Sequence, residues 1–326
     1  MNTRRPPSPP NLSLWATACA ALFVIIAPLP LQAQGKKKNP ASKVYVADLS
    51  GDAQIDTGDT IQDLSKRSVY TAQGTVIETK RPEDQNNRAQ NFSTMVYSNG
   101  TGAFFDSDTR VEVKNFVQEP FTPNRADIET EPSISQTQAF VARGIVGLCN
   151  SKLVAGSNMN YQTPHGSVNI RGRKVVIEAG KNVTKISMLE GDSTVRAGVM
   201  DMGGHTIQAG EQAIIRYQGQ GKPNQIEIQK IPDNEIPDLD EKVAMACMAK
   251  KTVYFEVREK KDENTNGPAS EGGADAAVTA FDNDDGKTST TIREIVPVEV
   301  VPVDLTKNTP MSASAPVATA PSTPRS

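Results

Sequence analysis

Aromatic residues and metal-binding side chains are scarce in this chain of 326 residues. Only 5% of the residues are aromatic, so a core must be built mainly from aliphatic side chains, each contributing about 1.5–3 kcal/mol when buried. The chain has two histidines and three cysteines, and it contains no CxxC or HExxH motif. Because zinc sites use about three or four clustered ligands, we expect no metal centre and no cofactor.

The chain also lacks a large excess of basic or of acidic residues. The 35 basic and 38 acidic residues give a formal net charge of −3. A chain this close to neutrality has no global field that would hold a phosphate backbone. We therefore expect no nucleic-acid partner.

The sequence also lacks a catalytic constellation. Ser157 or Ser167 would need His165 as a base, but no GxSxG motif supports such a pairing. His165 and His205 each neighbour a glycine at an expected turn, which predicts solvent-exposed histidines. The segment Asp56–Gly58 (DTG) is a single copy of a tripeptide that aspartic proteases need twice, and Asp59 follows it instead of a small hydroxyl residue, so we interpret the DTGD segment as a hairpin turn. We expect a protein that is not an enzyme.

Residues 1–33 have the pattern of a secretory signal peptide. Arg4 and Arg5 form a basic start, and the uncharged stretch Leu12–Ala33 ends on a small residue suited to cleavage. Residues 34–43 then form a linker, and the mature protein is expected to be periplasmic or secreted. The alternative is an uncleaved membrane anchor, since about 20 apolar residues span a bilayer. Contact with a membrane is expected only in that case.

Short runs of alternating apolar residues recur along residues 44–257. They are separated by turn signals such as Asn99-Gly100, and no long amphipathic helix alternates with them. The pattern predicts an all-β domain, either an antiparallel sandwich or a barrel-like stack of short strands. Two polar insertions, 80–91 and 118–137, interrupt the pattern and are either functional loops or mobile ones.

One short helix is predicted near the end of this domain, from Asp238 to Lys251. Asp238 is suited to cap its first turn, and Lys250 and Lys251 suit its carboxyl end. The apolar residues share one face, which is predicted to be buried. They are Leu239, Val243, Ala246 and Cys247.

The cysteines predict one disulfide. Cys19 lies in the predicted signal peptide, which leaves Cys149 and Cys247 in the mature chain. An even number of cysteines in an oxidising compartment favours their pairing. The alternative is two buried thiols, because free cysteine is among the most buried residue types.

Residues 258–326 are predicted to be a disordered tail. The segment is charged, then rich in Gly, Ala and Asp, then rich in Pro, Ala, Ser and Thr, so it buries too little apolar surface to offset its ordering entropy. Ile292–Leu305 stands out because valine alternates with proline and glutamate. We favour an extended proline-rich linker there over a sheet edge or a linear binding motif.

Three motifs lie in the second half of the β region: TPHGSVNIRGRKVVIE, KISMLEGDSTVRAG and HTIQAGEQAIIR. Together they resemble the FecR-like periplasmic domain family. The resemblance covers about residues 44–229, although Arg173 stands where the family commonly has threonine. The matching residues are Thr163, Pro164, Val168, Ile170, Arg171, Gly172, Glu190, Gly191, Val195, Ala209, Gly210 and Gln212. For Arg171 and Arg173 we favour a structural role, such as pairing with a carboxylate like that of Glu178, over the binding of an anionic ligand.

The resemblance implies an all-β, non-enzymatic domain of the bacterial cell envelope. Some members of the family sense a partner and control a sigma factor through a cytoplasmic segment that precedes their membrane helix. Only Met1–Asn11 precede the apolar run here, which is too short to fold as such a segment. We therefore expect a binding or scaffold role towards an envelope protein or a glycan. The alternative is a membrane-anchored envelope sensor.

Overall fold

The computed structural model describes residues 42–82, 91–121, 129–198, 200–262, 277–282 and 288–300. All of them belong to the compact unit that runs from Lys37 to Ser326. The predicted signal peptide, the predicted cleavage site and nearly all of the predicted linker lie outside the described residues. Within the described residues, no helix combines the length and the apolarity that crossing a membrane requires.

The described residues form twenty strands and one helix. The helix α1 is Ile236–Lys250. The strands are β1 (Lys43–Ser50), β2 (Ala53–Asp56), β3 (Ile61–Asp63), β4 (Val69–Thr71), β5 (Val76–Thr79), β6 (Phe92–Tyr97), β7 (Gly102–Phe105), β8 (Thr109–Gln118), β9 (Ser135–Cys149), β10 (Asn158–Gln162), β11 (Ser167–Ile170), β12 (Lys174–Ala179), β13 (Val183–Glu190), β14 (Asp192–Arg196), β15 (His205–Gln208), β16 (Glu211–Arg216), β17 (Gln225–Lys230), β18 (Val253–Asp262), β19 (Ala277–Asp282) and β20 (Thr288–Glu299).

The strands up to β17 form two sheets that share β9. Sheet A has the spatial order β4, β1, β6, β7, β9, β12, β13, β16, β17, and each adjacent pair is antiparallel. Sheet B has the order β3, β2, β5, β8, β9, β10, β11, β14, β15 and is also antiparallel, except for the parallel pair β9–β10. That pair is parallel because the chain leaves sheet B at the middle of β9 and re-enters it beside the start of β9.

The shared strand β9 bends at Gly144. Its first part pairs in sheet B, and its last part, from Gly144 to Cys149, pairs in sheet A. Gly144 has a φ of +91°, and a Cβ there would lie 2.4 Å from the Thr109 Cα, so the bend requires glycine. One continuous strand thereby connects the two layers.

The inward faces of the two sheets form one core. The predicted sandwich is therefore present, and the aliphatic composition explains it, because alternating Val, Ile and Met residues fill the space between the layers. Sheet B contributes Ile55, Ile77, Val111, Val168 and Ile170, and sheet A contributes Met95, Val146, Leu148, Ile177, Ile186 and Met188. Each of these side chains is essentially inaccessible to solvent.

An internal repeat underlies the sandwich. In β5–β8 and again in β11–β14, the chain passes through sheets B, A, A and B with the same antiparallel pairings. The passage from sheet A to sheet B reads FDSDTRV at 105–111 and LEGDSTV at 189–195. Sequence patterns alone did not indicate this repeat, because only the crossover segments keep matching residue types.

Helix α1 packs on the outer face of sheet A. Leu239, Val243 and Ala246 are buried there, as predicted. The helix lies close to the sheet because Gly102 faces it: a Cβ at Gly102 would lie 2.1 Å from the Ala246 carbonyl oxygen. The predicted start was wrong. The helix begins at Ile236 rather than at Asp238, and Glu235 is at the cap position. Proline is favoured in the first turn of a helix, and here it occupies that turn.

The predicted disulfide between Cys149 and Cys247 is present in the structure, with Cα atoms 5.1 Å apart. It joins the end of β9 to the last turns of α1. Cys247 is half-buried against the helix–sheet interface and not fully buried. The bond therefore fastens the helix to sheet A from a partly solvent-exposed position.

Part of the predicted disordered tail is a three-stranded sheet. Strand β18 continues past Val257 to Asp262, and β20 lies between β18 and β19. Ile295 is buried with Phe255 against Tyr45, and the Tyr45 hydroxyl donates to Glu299 Oε1 at 2.7 Å. The prediction of disorder was wrong for these residues because it rested on the average composition of the tail, which does not reveal a short apolar strand within it. The rest of the predicted tail lies outside the described residues.

Candidate functional site

A cleft of about 960 Å³ opens at one end of the sandwich. Three connections line it: the β10–β11 turn, the β14–β15 loop and the β16–β17 loop. Its lining mixes apolar, amide and charged side chains. These include Gln162, Pro164, His165, Arg196, Met200, Asp201, Met202, Lys222 and Asn224. Loops fixed at the end of a rigid sandwich are a common place for recognition.

The β10–β11 turn is held by a chain of hydrogen bonds. The Thr163 hydroxyl accepts from the Gly166 N–H at 3.1 Å and donates to the Gly166 carbonyl at 3.0 Å. The Thr184 hydroxyl, from β13, donates to Thr163 at 3.1 Å, and His165 Nδ1 lies 3.1 Å from the same Thr184 oxygen. The turn is thereby tied to the strand behind it.

His165 is buried, which corrects the prediction of a solvent-exposed turn histidine. Its ring packs beneath the turn, 6.0 Å from the ring of Tyr217. Burial lowers the pKa of His165, against an opposing hydrogen bond to the Lys181 main chain, so the imidazole is neutral at pH 7. No hydrogen bond of the described residues joins it to either serine considered as a nucleophile, and Ser157 instead donates to Glu131 at 2.6 Å.

The β14–β15 loop is organised by Asp201. Its carboxylate accepts hydrogen bonds from the main chain of Ala197 and of Gly204, each at 3.0 Å. These hydrogen bonds lower the pKa of Asp201, so the carboxylate is charged at neutral pH. His205 is exposed, as predicted, and its Nε2 lies 3.5 Å from Asp201 Oδ2.

The β16–β17 loop forms the other wall of the cleft. The Asn224 side-chain amide donates to the His165 carbonyl at 2.6 Å, which fixes this loop to the β10–β11 turn. Lys222 in the loop and Arg196 at the end of β14 are exposed cations. Together with Asp201 they give the lining a small excess of positive charge. The sequence offered no signal for this site beyond the Thr-Pro turn, because the other loops share no motif.

The predicted family-motif residues fall at two separate places. Thr163 and Pro164 line the cleft. The remaining charged and glycine residues of the motif lie at the other ends of β11 and β14, around the crossover between the sheets; they are Arg171, Gly172, Glu190, Gly191 and Gly210. Sequence proximity therefore did not indicate one common site.

The crossover residues pack backbone against backbone. A Cβ on Gly191, whose φ is +95°, would lie 2.6 Å from the Gly172 Cα, and a Cβ on Gly172 would lie 2.7 Å from the Glu190 carbonyl oxygen. The Gly210 N–H donates to the Met188 carbonyl at 2.8 Å. Only glycine fits this close approach at positions 172 and 191, whereas a Cβ at Gly210 would meet no atom within 4 Å. These positions shape the fold.

The arginines of the motif pair with carboxylates, although not with Glu178. Arg171 lies 3.1 Å from Asp192, and Arg173 contacts Glu129 and lies 3.4 Å from Glu190. All these groups are partly exposed, so each pair contributes little, at about 0–1 kcal/mol. The preferred structural interpretation of both arginines agrees with these contacts.

Two further groups of polar residues outside the cleft form hydrogen bonds within the fold. The DTGD segment forms the β2–β3 turn, where Asp56 accepts from the Gly58 N–H at 2.9 Å. Glu131 is buried and accepts from the hydroxyls of Ser135 and Ser157. Across the described part of the chain, no group of three or more His, Cys, Asp and Glu side chains is placed to hold a metal ion.

Comparisons with known proteins identify no family. No protein-family model matches the chain, and no curated protein gives a significant match. Two crystal structures of a "putative anti-sigma factor" from Parabacteroides distasonis ATCC 8503 are similar, with TM-scores of 0.35 and 0.34 and identities of 11% and 12%. Each alignment covers 50% of this chain and 62% of the other. These values are low, so neither the fold nor the function of this chain rests on them.

Proposed function

We propose that this chain is an exported, non-enzymatic binding domain of the FecR-like kind, which recognises a protein of the cell envelope through the end cleft. The observation that carries the proposal is the cleft itself. Three connections meet there, and their main chains are fixed by hydrogen bonds to the Gly166 carbonyl, the His165 carbonyl and the Asp201 carboxylate. A preorganised surface of this kind loses little conformational entropy on binding.

The lining favours a protein over a glycan. Arg196 and Lys222 present cations for acidic side chains, and Met200 and Met202 present adaptable apolar surface. Tyr217 is 49% exposed and its ring lies 6.0 Å from the ring of His165, but it is not among the residues that line the cleft. The described lining thus offers no aromatic face on which a sugar ring would stack.

Site-specific photo-crosslinking in the native host tests this proposal. A photoreactive amino acid replaces Met202 in the cleft or, as a matched control, the exposed Met248 on helix α1. We expect a discrete crosslinked protein from position 202 and none from position 248. The product should be lost when Arg196→Gln and Lys222→Gln are added, and it should persist with Lys230→Gln and Lys251→Gln, two exposed cations outside the cleft lining.

Three results would overturn the proposal. They are no product from position 202, a product that is insensitive to neutralising Arg196 and Lys222, or a product that dissolves on digestion of peptidoglycan, which would identify a glycan. Export is tested separately by amino-terminal sequencing of the purified protein. A start near Gln34 supports release into the periplasm or medium, and an intact Met1 would favour the membrane-anchored sensor instead.

A further inference from the structure

Uncharged amide side chains cover the middle of the outer face of sheet B. The pairing register of β8, β9, β10 and β11 places four of them in one row across the strands; in order they are Asn115, Gln138, Asn160 and Asn169. All four point away from the core, because the residue that follows each of them in its strand is buried. The row crosses three intervals of about 4.8 Å, so it is roughly 14 Å long. Asparagine is depleted in strands, so strand propensity does not account for three of them in one row.

The other half of the same face is charged. Around β5 and β8, the Glu78 carboxylate lies 2.5 Å from Arg110 and 2.5 Å from Arg143. By contrast, a groove of about 240 Å³ that lies over the amide row has no ionisable side chain in its lining. The lining residues are Asn115, Gln136, Thr137, Gln138, Asn158 and Asn160. One sheet face thus divides into a charged half and a neutral half, and only the neutral half contains this groove.

The amides in the centre of the groove are available to a ligand. Asn115, Gln138 and Asn160 are half-buried, and their side chains form no hydrogen bond with any residue that the structure describes. At the rim, Asn169 is instead held in place, because its Nδ2 donates to Asn158 Oδ1. Each of the three central amides offers two N–H donors and one carbonyl acceptor, and a partly buried polar group gains most from a partner that satisfies it.

We propose that this amide face binds a neutral, β-1,4-linked glycan chain, with Asn115, Gln138 and Asn160 as its hydrogen-bonding residues. Sugar hydroxyl and acetamido groups donate and accept hydrogen bonds as the amides do, so the two sets match without any ion. The row is straight, which suits the extended chain that β-1,4 links produce. A phosphate or carboxylate would find no cation in the groove lining, and burying a charge without a partner is costly. A protein partner would need an apolar centre to its interface, which a lining of amide and hydroxyl residues does not provide.

An aromatic ring lies next to the amide row, in contrast to the cleft. Phe140 is two residues beyond Gln138 in β9 and is therefore on the same face of the sheet. It is half-buried, and Lys114 Nζ lies 4.7 Å from the centroid of its ring. Because Lys114 is exposed and has many rotamers, a sugar ring can take its place over Phe140. One sugar of the bound chain then contacts this ring through its C–H groups, beside the sugars that the amides bind.

Titration of the purified protein with oligosaccharides tests the proposal. The neutral probes are the hexasaccharides of β-1,4-linked N-acetylglucosamine and of β-1,4-linked glucose, and hexagalacturonate is the acidic control. We expect at least one neutral probe to bind, and the acidic one to bind about 10-fold or more weakly. The Gln138→Thr/Asn160→Thr variant should bind the neutral probe roughly 10-fold or more weakly, because it lacks two of the hydrogen-bonding amides. Threonine favours strands, so the unfolding midpoint should not fall. Gln54→Thr, which removes an amide from the same face of sheet B at β2, should bind as wild type does.

A spectroscopic readout locates the sugar. In ¹⁵N-labelled wild type, the neutral probe should shift the side-chain amide signals that are absent from the double variant and leave the Gln54 signal in place. The Arg196→Gln/Lys222→Gln variant should bind the probe as wild type does, so failure of this proposal is distinguishable from failure of the proposed protein recognition by the cleft.

Four results would overturn the proposal. They are binding of neither neutral probe, unchanged binding in the double variant, binding of hexagalacturonate as tight as that of the neutral probe, and a wild-type dimer in sedimentation that the double variant does not form. The last result would identify a second copy of the chain as the occupant of the amide face.

Discussion

Removal of the disulfide should destabilise the whole domain, because the bond joins helix α1 to the central strand of sheet A. The Cys149–Cys247 bond closes a loop with a sequence separation of 98 residues. In the chain-entropy model, a loop of that length stabilises the folded state by roughly 4–5 kcal/mol, through restriction of the unfolded chain. We expect this loss for the Cys149→Ala/Cys247→Ala variant and for reduced wild type.

The assay is urea unfolding followed by circular dichroism. With a urea dependence of roughly 2–3 kcal/mol per molar, the loss corresponds to a midpoint lower by about 2 M. The reductant should not change the midpoint of the Cys→Ala variant, which controls for its other effects. Equal midpoints for oxidised and reduced wild type would contradict this prediction, and so would two free thiols in the native protein on titration under denaturing conditions.

The remaining predictions concern the glycine contact, the buried acid and the C-terminal sheet. Gly102→Ala should lower the free energy of unfolding by roughly 1–3 kcal/mol, because its Cβ would meet Ala246, whereas Gly203→Ala, where nothing lies within 4 Å, should be neutral by the same urea assay. Burial raises the pKa of Glu131, against the hydrogen bonds from its neighbours. Because the pKa is higher in the folded state, protonation of Glu131 stabilises the fold. This contribution is complete below the unfolded-state pKa and is lost as the pH rises through the folded-state pKa, so wild type should lose stability relative to Glu131→Gln between acidic and neutral pH. A stability difference that is independent of pH would contradict this. Ile295→Ala should cost roughly 2–5 kcal/mol if the C-terminal sheet packs as described, and a loss near zero would show that this sheet is not docked.

The elements that could be predicted from sequence are those whose pattern is local. The alternation in β5 and β11 has a period of two, and every second residue of each strand is buried, so pattern and structure agree. The spacing of Leu239, Val243 and Ala246 identified the buried face of the helix for the same reason. The disulfide partners followed from the count of cysteines that remain when the predicted signal peptide is left out.

The features that could not be predicted depend on residues distant in the sequence. His165 is buried because Thr184, from a strand two elements later, lies over it, and a turn sequence contains no sign of that contact. Ile295 is buried because β20 returns to Tyr45 at the start of the domain. The cleft arises where three separate connections meet, and only the β10–β11 turn among them has a recognisable motif.

The proposed recognition of an envelope protein by the end cleft can be measured in one affinity comparison. The dissociation constant of the crosslinked partner is measured for wild type and for Arg196→Gln/Lys222→Gln, with the unfolding midpoint of each protein determined alongside. We expect binding that is about 10-fold or more weaker in the variant at an unchanged midpoint, since losing charge pairs of this kind costs about 1.5 kcal/mol or more. Equal dissociation constants for the two proteins would contradict it.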